Sequence, residues 1–435
     1  MANARSVALR ALVALERGHA DRLREALDGK DLEPRDQGFA FELAHGVVRR
    51  QRCLDHVLLG LAHRGLPKDP HLIAALRLGA YQLLFVPGMP MHAAVHETVE
   101  LVRGNKGFAN AVLRSLGKAI VDRPATDPCR DLALGPARTL ELAQPLPEEL
   151  AARLAIVHSL PDFLVARWAE QFGADQLETV AAAASTTPDV YLRVTWLAEP
   201  QRLREDLAAA GVETAATAHP KLWRWTGGAS PFGTAAFRSG HFVVQDPTAL
   251  LAAEAVPCQP GDTVVDLCAA PGTKTTWLAE RVRPGGKVFA FDIDGGRRVR
   301  IGENVARLRL QDTVQVVSDA AKLPVADAVL ADVPCSNTGV LSRRVEVRQR
   351  LEPSTFAELV PLQRALLKQA IALCRPGGAV VYSTCSIDRE ENDDVVQAVL
   401  ADPAVPRCEL GQNLRTLPRG GECDGGYFAL LHRRG

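Results

Sequence analysis

The sequence predicts a multidomain protein with an all-α N-terminal domain, a small α+β middle subdomain and a C-terminal α/β domain built on a doubly wound sheet. The length of 435 residues suggests two or three domains. Apolar residues recur at helical spacing up to about residue 118, and from residue 242 onward short apolar segments alternate with helical stretches. We predict domains at residues 1–125, 161–240 and 241–435, with a linker at 126–160.

The composition is typical of an ordered globular protein. Lys and Arg number 51 and Asp and Glu number 51, so the net charge is zero, and 47% of the residues are apolar. This balance argues against a protein that coats nucleic acid through bulk charge, although a local basic face is compatible with it. Every apolar stretch is interrupted before the roughly 20 residues that a membrane helix needs, and the N-terminus has no apolar signal core. We therefore expect a cytoplasmic protein without membrane contact.

The cysteines point to a reducing compartment. Nine cysteines are too few for a disulfide scaffold in a chain of this length, and their number is odd. No two of them have the C-x-x-C spacing of zinc or redox sites. We expect reduced thiols and no metal site.

The N-terminal domain is predicted to consist of several short helices. Apolar side chains recur at helical spacing, as at Leu54, Val57 and Leu58, and glycines and prolines separate the helices. Residues 126–160 are rich in proline, alanine and leucine, and we interpret them as a linker with helical pieces.

Strands are predicted in the middle subdomain and the C-terminal domain. The middle subdomain combines a helix at 163–172 with an alternating strand at 189–195. Downstream, apolar strands alternate with helices, which is typical of a doubly wound sheet with buried central strands. These strands are expected at 263–267, 287–291, 314–317, 328–331 and 379–383.

The first of these strands runs into a loop of small residues and then a helix. The loop contains Cys268, Ala269, Ala270, Pro271, Gly272, Thr273 and Lys274. Gly272 lets a ligand approach the backbone, and the N–H groups at a helix start can bind a carboxylate or phosphate. A Walker A loop would need glycine in place of Cys268 and Thr273, and G-x-G-x-x-G is absent. The loop favours a nucleoside-bearing ligand such as S-adenosylmethionine; the alternative is a tight turn without a ligand.

Aspartates after the next two strands are candidates for the same ligand. Asp292 ends the second strand, where a carboxylate can accept hydrogen bonds from both hydroxyls of a ribose. Asp294 fits a helix N-cap better. Asp319 follows the third strand, from which a side chain could accept a hydrogen bond from an adenine amino group.

Two cysteines follow the fourth and fifth strands, at the sheet edge that carries the ligand loop. Cys335 lies in DVPCS, which begins at Asp332, and Cys385 lies in STCS. Ligands bind at this edge in open α/β sheets. A cysteine is more often a small buried residue, which is our interpretation of the other seven.

A thiolate has a specific use in the methylation of cytosine. Carbon 5 is a poor nucleophile, but a thiolate that adds to carbon 6 makes carbon 5 enamine-like. A second cysteine can assist release of the first, and Asp332 is placed to hold the N3 and N4 edge. Methylation of an amino nitrogen requires neither cysteine. The chemistry alone leaves open which cysteine attacks.

At these residues the sequence resembles the RsmB/Sun family of ribosomal RNA cytosine-5 methyltransferases, within the NOL1/NOP2/Sun group. The resemblance covers nearly the whole chain. Its C-terminal motifs are VQD at 244–246, DLCAAPG at 266–272, DVPCS at 332–336, STCS at 383–386 and EEN at 390–392. The N-terminal residues resemble the NusB fold through PRD at 34–36, ELAHG at 42–46, LGAYQLL at 78–84, HAAV at 92–95 and KGFANAVLR at 106–114.

The resemblance implies a NusB-like RNA-binding domain ahead of a Rossmann-like methyltransferase domain that uses S-adenosyl-L-methionine. It implies that Cys385 attacks carbon 6 and that Cys335 helps to expel it. The implied cofactor residues are Cys268 to Lys274, Asp292, Asp319 and Asp332. The implied substrate is 16S rRNA in an unassembled or early-assembly small subunit, and we expect a monomer.

The chain departs from the family pattern at three positions. Thr273 replaces a usual glycine, and Val333 and Asn337 stand where the family usually has alanine and glycine. We interpret these departures as tuning, because both cysteines and all the aspartates named above are present.

Two groups of arginines are candidates for phosphate contacts. The first, which we interpret rather as a solvated helix face, contains Arg297, Arg298, Arg300, Arg307 and Arg309. The second follows Cys335 and is predicted to contact RNA through Arg343, Arg344, Arg348 and Arg350. A base in a stem must be extruded before a thiol can reach carbon 6, so a hairpin loop or loose rRNA is the easier substrate.

Two other functions remain open at this point. One is a non-catalytic NusB-like RNA-binding or transcription-associated factor with a vestigial methyltransferase domain. The other is methylation of DNA or protein by the same α/β domain. The intact cysteines and aspartates argue against the first.

Overall fold

The computed structural model describes residues 3–20, 23–27, 32–62 and 64–435. The chain forms two compact units, Met1–Thr187 with Leu341–Leu351, and Pro188–Val340 with Glu352–Gly435. The chain therefore leaves the second unit after Val340, contributes one short segment to the first unit, and returns. The domain boundaries inferred from the sequence stay a prediction.

The first unit is mainly helical, as the sequence predicts. Its described helices are α1 (Ala4–Glu16), α2 (Leu23–Ala26), α3 (Pro34–Arg49), α4 (Gln51–Leu61), α5 (Pro70–Phe85), α6 (Met91–Leu101), α7 (Lys106–Lys118), α8 (Leu150–Val157), α9 (Asp162–Phe172) and α10 (Ala174–Ser185). Among the described residues of the whole chain, no helix is long and apolar enough to cross a membrane.

Helix α5 forms the centre of this unit. Its N-cap Asp69 accepts hydrogen bonds from the first turn, and Pro70 at the first helical position has no N–H to satisfy. The side chains from Leu72 to Leu84 are all buried, so neighbouring helices surround α5 on every side. Helix α3 crosses it closely at Gly46, where a Cβ atom would lie 2.0 Å from the ring of Tyr81.

The segment that we interpreted as a linker contains regular structure. A three-stranded antiparallel sheet has the order β1 (Ile120–Val121), β3 (Arg138–Glu141), β2 (Asp131–Gly135). Leu132 and Leu140 enter the helical core, and helix α8 follows. These short strands are stabilised by contacts with the helices, which a proline-rich composition does not reveal.

The second unit contains two sheets. The smaller is antiparallel with the order β5 (Val212–Ala216), β6 (Leu222–Gly228), β4 (Val190–Val194), β7 (Phe242–Val244). Helices α11 (Pro200–Ala209) and α12 (Ala235–Arg238) accompany it. The alternation that predicts a strand at 189–195 thus corresponds to β4.

The larger sheet has seven strands and confirms the predicted doubly wound fold. Its order is β10 (Val314–Val317), β9 (Lys287–Phe291), β8 (Thr263–Asp266), β11 (Ala326–Asp332), β12 (Cys374–Thr384), β14 (Gly426–Arg433), β13 (Cys408–Thr416). The first five are parallel, and β14 and β13 are antiparallel additions. Strand order reverses between β8 and β11, which is where ligands bind in such folds.

Helices cover both faces of this sheet. One face packs on α13 (Pro247–Glu254), α14 (Thr273–Val282) and α15 (Gly295–Arg307), and the other on α16 (Pro353–Leu373) and α17 (Asp393–Leu400). Within β8, Val264 belongs to the first core and Val265 to the second, so consecutive side chains alternate between two buried faces.

A buried ion pair joins the two sheets through α14. Arg193 of β4 is fully buried, lies 2.9 Å from Glu280 and stacks 5.1 Å from the ring centre of Trp277. It also donates to the hydroxyl of Thr276. The small sheet thereby holds the helix that begins at the ligand loop.

Candidate active site

The loop after β8 presents backbone donors at the carboxyl edge of the large sheet. Gly272 has φ +100° and is the N-cap of α14, so its conformation favours glycine. No side chain of the described chain caps this helix, which leaves N–H groups of its first turn available to a ligand. The predicted loop residues Cys268, Ala269, Ala270, Pro271, Gly272, Thr273 and Lys274 all lie in this loop or the first turn.

Asp292 connects the tip of β9 to this loop. Its side chain is almost fully buried, one carboxylate oxygen accepts from the N–H of Ala270 at 3.2 Å, and the other accepts from the N–H of Asp294. Arg297 lies 3.7 Å away. Asp294 caps α15 instead, accepting from the N–H of Arg297, and that hydrogen bond lowers the pKa of Asp294. The structure thus brings Asp292, rather than Asp294, to the loop.

Asp319 follows β10 and is exposed. Its carboxylate accepts from the N–H of Ala321 at 3.0 Å and caps a short 3-10 helix. It lies at the carboxyl end of the strand next to β9, on the expected edge.

Asp332 ends β11 and is held by two donors. The ammonium of Lys274 lies 2.6 Å from one carboxylate oxygen, and the hydroxyl of Ser383 donates to the other at 2.7 Å. Burial alone would lower the pKa of Lys274, but the charge and hydrogen bond of Asp332 outweigh it, so the pKa lies above its ordinary value. Lys274 and Ser383 thus fix the position of the Asp332 carboxylate at the end of β11.

The two cysteines lie in direct contact. Their Sγ atoms are 3.2 Å apart, with Cys335 buried and Cys385 partly exposed. The thiol of Cys385 also lies 3.3 Å from Oδ1 of Asn337. The hydrogen bond with Cys385, together with burial, raises the pKa of Cys335. Cys385 is therefore the more accessible thiol and Cys335 the one that stays protonated.

A cavity of about 50 Å³ opens onto this cluster. Lys274, Asp332 and Cys385 line it, so groups from three separate strand ends face one space. The strand patterns predict Asp332 and Cys385 at this edge. The sequence reasoning missed the pairing of Lys274 with Asp332 and the contribution of the β13–β14 region, including Thr416 and Tyr427, because sheet-edge position alone does not reveal which side chains meet.

The arginines after Cys335 do not form one exposed group. Arg348 is buried within the first unit, where its guanidinium donates to the carbonyls of Arg49, Ala184 and Leu341, among others. Its predicted contact with phosphate is therefore wrong. Arg344 and Arg350 are exposed and Arg343 is partly buried.

The helix-face arginines are also divided. Arg307 donates to the carbonyls of Phe237 and Phe242 and stacks on the ring of Phe237. Arg298 donates to the carbonyl of Asp292 at 2.6 Å. These two side chains support the fold around the ligand edge.

Two family patterns match this sequence. The family described as 16S rRNA methyltransferase RsmB/F matches residues 253–431, and the NusB family matches residues 2–118. The first match includes every candidate site residue named above.

Similar proteins span almost the whole chain. The "Probable ribosomal RNA small subunit methyltransferase B" of Bacillus subtilis is 32% identical over 92% of this chain and 88% of its own length. The "Ribosomal RNA small subunit methyltransferase B" of Thermus thermophilus is 32% identical over 99% and 97%. The crystal structure of PH0851 is 26% identical, covers 98% of both chains and superposes with a TM-score of 0.74.

Proposed function

The chain belongs to the RsmB/F family of 16S rRNA methyltransferases, and from this membership we propose that it methylates carbon 5 of a cytosine in small-subunit rRNA. Like that family, it is a methyltransferase that acts on rRNA with S-adenosylmethionine as methyl donor. The proposal adds the atom that is methylated and the covalent route by which two cysteines achieve it.

The contact between the two thiols is the observation that carries this proposal. Cys335 and Cys385 lie 3.2 Å apart, and Cys385 shares a cavity with Asp332. Transfer to an amino nitrogen needs no thiol, whereas carbon 5 of cytosine needs a nucleophile at carbon 6. Two cysteines at the ligand edge of the sheet are what this chemistry requires.

The residues around the loop fit S-adenosylmethionine. Uncapped N–H groups at the start of α14 suit the carboxylate of the methionine part. The left-handed backbone of Gly272, next to Ile301, sets the turn that presents these groups. Asp292 would hold the ribose and Asp319 the adenine, as the resemblance implies. When bound, S-adenosylmethionine supplies an electrophilic methyl group.

Cys385 acts as the nucleophile in the proposed mechanism. Its thiolate forms a bond to carbon 6 of the cytosine, and the electron pair of the C5–C6 double bond moves toward N3, which makes carbon 5 enamine-like. After carbon 5 is methylated, a water molecule accepts its proton, the C5–H electron pair reforms the C5–C6 double bond, and Cys385 departs with the C6–S pair as a thiolate. The protonated thiol of Cys335, in contact with Cys385, can stabilise that departing thiolate by a hydrogen bond.

Asp332 and Lys274 would act on the opposite side of the base. The carboxylate of Asp332 can accept from the amino group at N4, while the ammonium of Lys274, 2.6 Å from Asp332, can stabilise the electron density that N3 gains. Both side chains line the cavity that contains Cys385.

The substrate is proposed to be 16S rRNA before or early in subunit assembly, with the NusB-like domain as a further RNA-binding surface. A base that is already unpaired is extruded at the lowest cost in free energy. The monomeric state and the cytoplasmic location stay predictions.

Substitution of each cysteine tests the proposed roles. Cys385→Ala should abolish methylation and also abolish covalent adducts with 5-fluorocytosine RNA, because no nucleophile remains. Cys335→Ala should accumulate a stable protein–RNA adduct, because release of Cys385 is slowed. Denaturing gels resolve these adducts, and an adduct with Cys385→Ala but none with Cys335→Ala would reverse the assignment.

A transfer assay separates this function from its alternatives. The protein is incubated with labelled S-adenosylmethionine and unmodified small-subunit rRNA, DNA or protein, and 5-methylcytosine is mapped in the RNA. We expect label at carbon 5 of a cytosine. Cofactor binding without transfer to RNA would contradict the proposal and favour a non-catalytic RNA-binding factor.

A further inference from the structure

A buried carboxylate lies behind the two cysteine loops. Glu391 is fully buried, and one of its oxygens accepts from the N–H of Ser336 and from the amide of Gln363, both at 2.8 Å. The hydroxyl of Ser336 donates to the other oxygen. Within the described chain no Lys, Arg or His forms an ion pair with Glu391. A buried acid without a cation is costly, so its retention calls for an explanation.

Glu391 contacts the residues that directly follow both cysteines. Ser336 follows Cys335, and Ser386 follows Cys385; their hydroxyl oxygens are 3.3 Å apart. The hydroxyl of Ser336 donates to the carboxylate of Glu391, and the hydroxyl of Ser386 lowers the pKa of that carboxyl group. The two loops come from β11 and β12, which are neighbours in the sheet. One carboxylate thus fixes the separation of the two loops at the point where their thiols meet.

The charges around the two thiols are asymmetric. Cys335 faces Glu391, Tyr382 and the thiol of Cys385. Cys385 faces the ammonium of Lys274. After the hydrogen bond with Cys385 and burial, the negative charge of Glu391 is a further cause that raises the pKa of Cys335. The hydrogen bond with Cys385, burial and this charge together favour the neutral thiol of Cys335.

We propose that Glu391 is a positioning residue that joins the two cysteine loops and keeps Cys335 as a neutral thiol while Cys385 carries the negative charge. The inference rests on the proposed covalent mechanism and deepens it. Cys335 then keeps the S–H proton with which it stabilises Cys385 when the bond from Cys385 to carbon 6 breaks. No further reactant is needed, because the proton stays on Cys335.

Alkylation of Cys335 measures this effect without RNA or cofactor. The rate of modification by iodoacetamide is followed by peptide mass spectrometry from pH 6 to pH 10, in a Cys385→Ala background that isolates Cys335. Glu391→Gln keeps the shape and removes the charge, so alkylation of Cys335 at pH 8 should accelerate about tenfold, the change for one pKa unit. Glu390→Gln, a change at the exposed neighbouring residue, should leave the rate unaltered.

A second variant provides an independent test in case Glu391→Gln does not fold. Gln363→Met removes one donor to Glu391, which favours protonation of the carboxylate and should accelerate alkylation in the same direction by a smaller factor. Identical pH profiles in the parent and in every folded variant at Glu391 or Gln363 would overturn the proposal.

Turnover with intact Cys385 provides the link to catalysis. Glu391→Gln should accumulate the protein–RNA adduct, with a lower kcat and an unchanged KM for RNA. If Glu391→Gln alters the alkylation profile of Cys335 but the protein with its native residues never methylates cytosine, the proposed function is rejected and the electrostatic role of Glu391 is kept. Normal methylation with an unaltered profile would reject only the role of Glu391.

Discussion

Asn337 shows how one residue can replace a glycine near a reactive centre. It has φ +62°, in the left-handed region that asparagine tolerates better than most residues with a Cβ atom. Its amide donates to the carbonyl of Cys335 at 2.7 Å, and its Oδ1 lies 3.3 Å from the thiol of Cys385. The departure from the usual family glycine therefore adds side-chain contacts to both cysteines without requiring a different backbone.

Two substitutions at this position separate backbone strain from side-chain contact. Asn337→Gly keeps the left-handed backbone without strain. Asn337→Ala should lower the free energy of unfolding by about 1 kcal/mol more than Asn337→Gly does, which is the cost of a left-handed alanine. Both remove the contact with Cys385 and should slow methylation to a similar degree. Urea unfolding and initial rates check this, and equal stability of the two variants would contradict the strain argument.

The segment Leu341–Leu351 packs in the helical unit although it follows the loop of Cys335 in the chain. Its Val345 belongs to the core of the helical unit and its Arg348 donates to carbonyls from several separate segments of that unit. Burial lowers the pKa of Arg348 to about 9. A guanidinium surrounded by carbonyls is a structural connector, with no donor left for a phosphate.

A matched pair of arginine variants distinguishes this role from RNA binding. Arg348→Met leaves several buried carbonyls without donors and should lower the free energy of unfolding by about 3 kcal/mol. Arg344→Met changes an exposed side chain, so it should preserve stability, weaken RNA binding and reduce the salt slope by about one counterion. Thermal unfolding and RNA titrations at several salt concentrations measure both effects; a stable Arg348→Met protein would refute the connector role.

The elements show what sequence patterns can and cannot predict here. Buried strands such as β8 and β11 are predictable because continuous apolar runs between helices occur in parallel sheets. The sheet edge that holds Asp332 and Cys385 follows from that fold. The strands near Leu132 and Leu140 were missed, because they are short and depend on contacts with helices distant in sequence. The burial of Arg348 and the convergence on Glu391 were missed for a related reason: charged residues carry no periodic signal of burial.

At the scale of the whole molecule, one buried group in each compact unit should contribute an opposite pH dependence to the free energy of unfolding. In the helical unit, burial lowers the pKa of His45 from 6.5 to about 4. The unfolded chain then binds the extra proton between these values, so stability is full above pH 6.5 and falls by about 3 kcal/mol as the pH drops toward 4.

In the α/β unit, burial raises the pKa of Asp266 from 3.8 to about 7. Here the folded state binds the extra proton, so stability falls by about 4 kcal/mol as the pH rises from 4 to 7.

Calorimetry of two variants tests these opposite slopes. His45→Phe should lose the acid-side decrease in the transition of the helical unit, and Asp266→Asn should lose the decrease toward neutral pH in the transition of the α/β unit. Scans at pH 4.5, 6 and 7.5 measure both differences. Parallel pH dependence of parent and variant at either site would show that the buried group does not titrate as described.

The return of the chain into the helical unit also determines when that unit can be completed during synthesis. Residues up to Thr187 leave the ribosome long before Val345 and Arg348 are synthesised. Until then the helical unit lacks the side chain of Val345 in its core, and carbonyls such as that of Ala184 lack the guanidinium donor of Arg348. When the segment Leu341–Leu351 completes the core, Cys335 has already been translated. The N-terminal unit therefore reaches its final packing only in a chain that already carries one of the two reactive thiols.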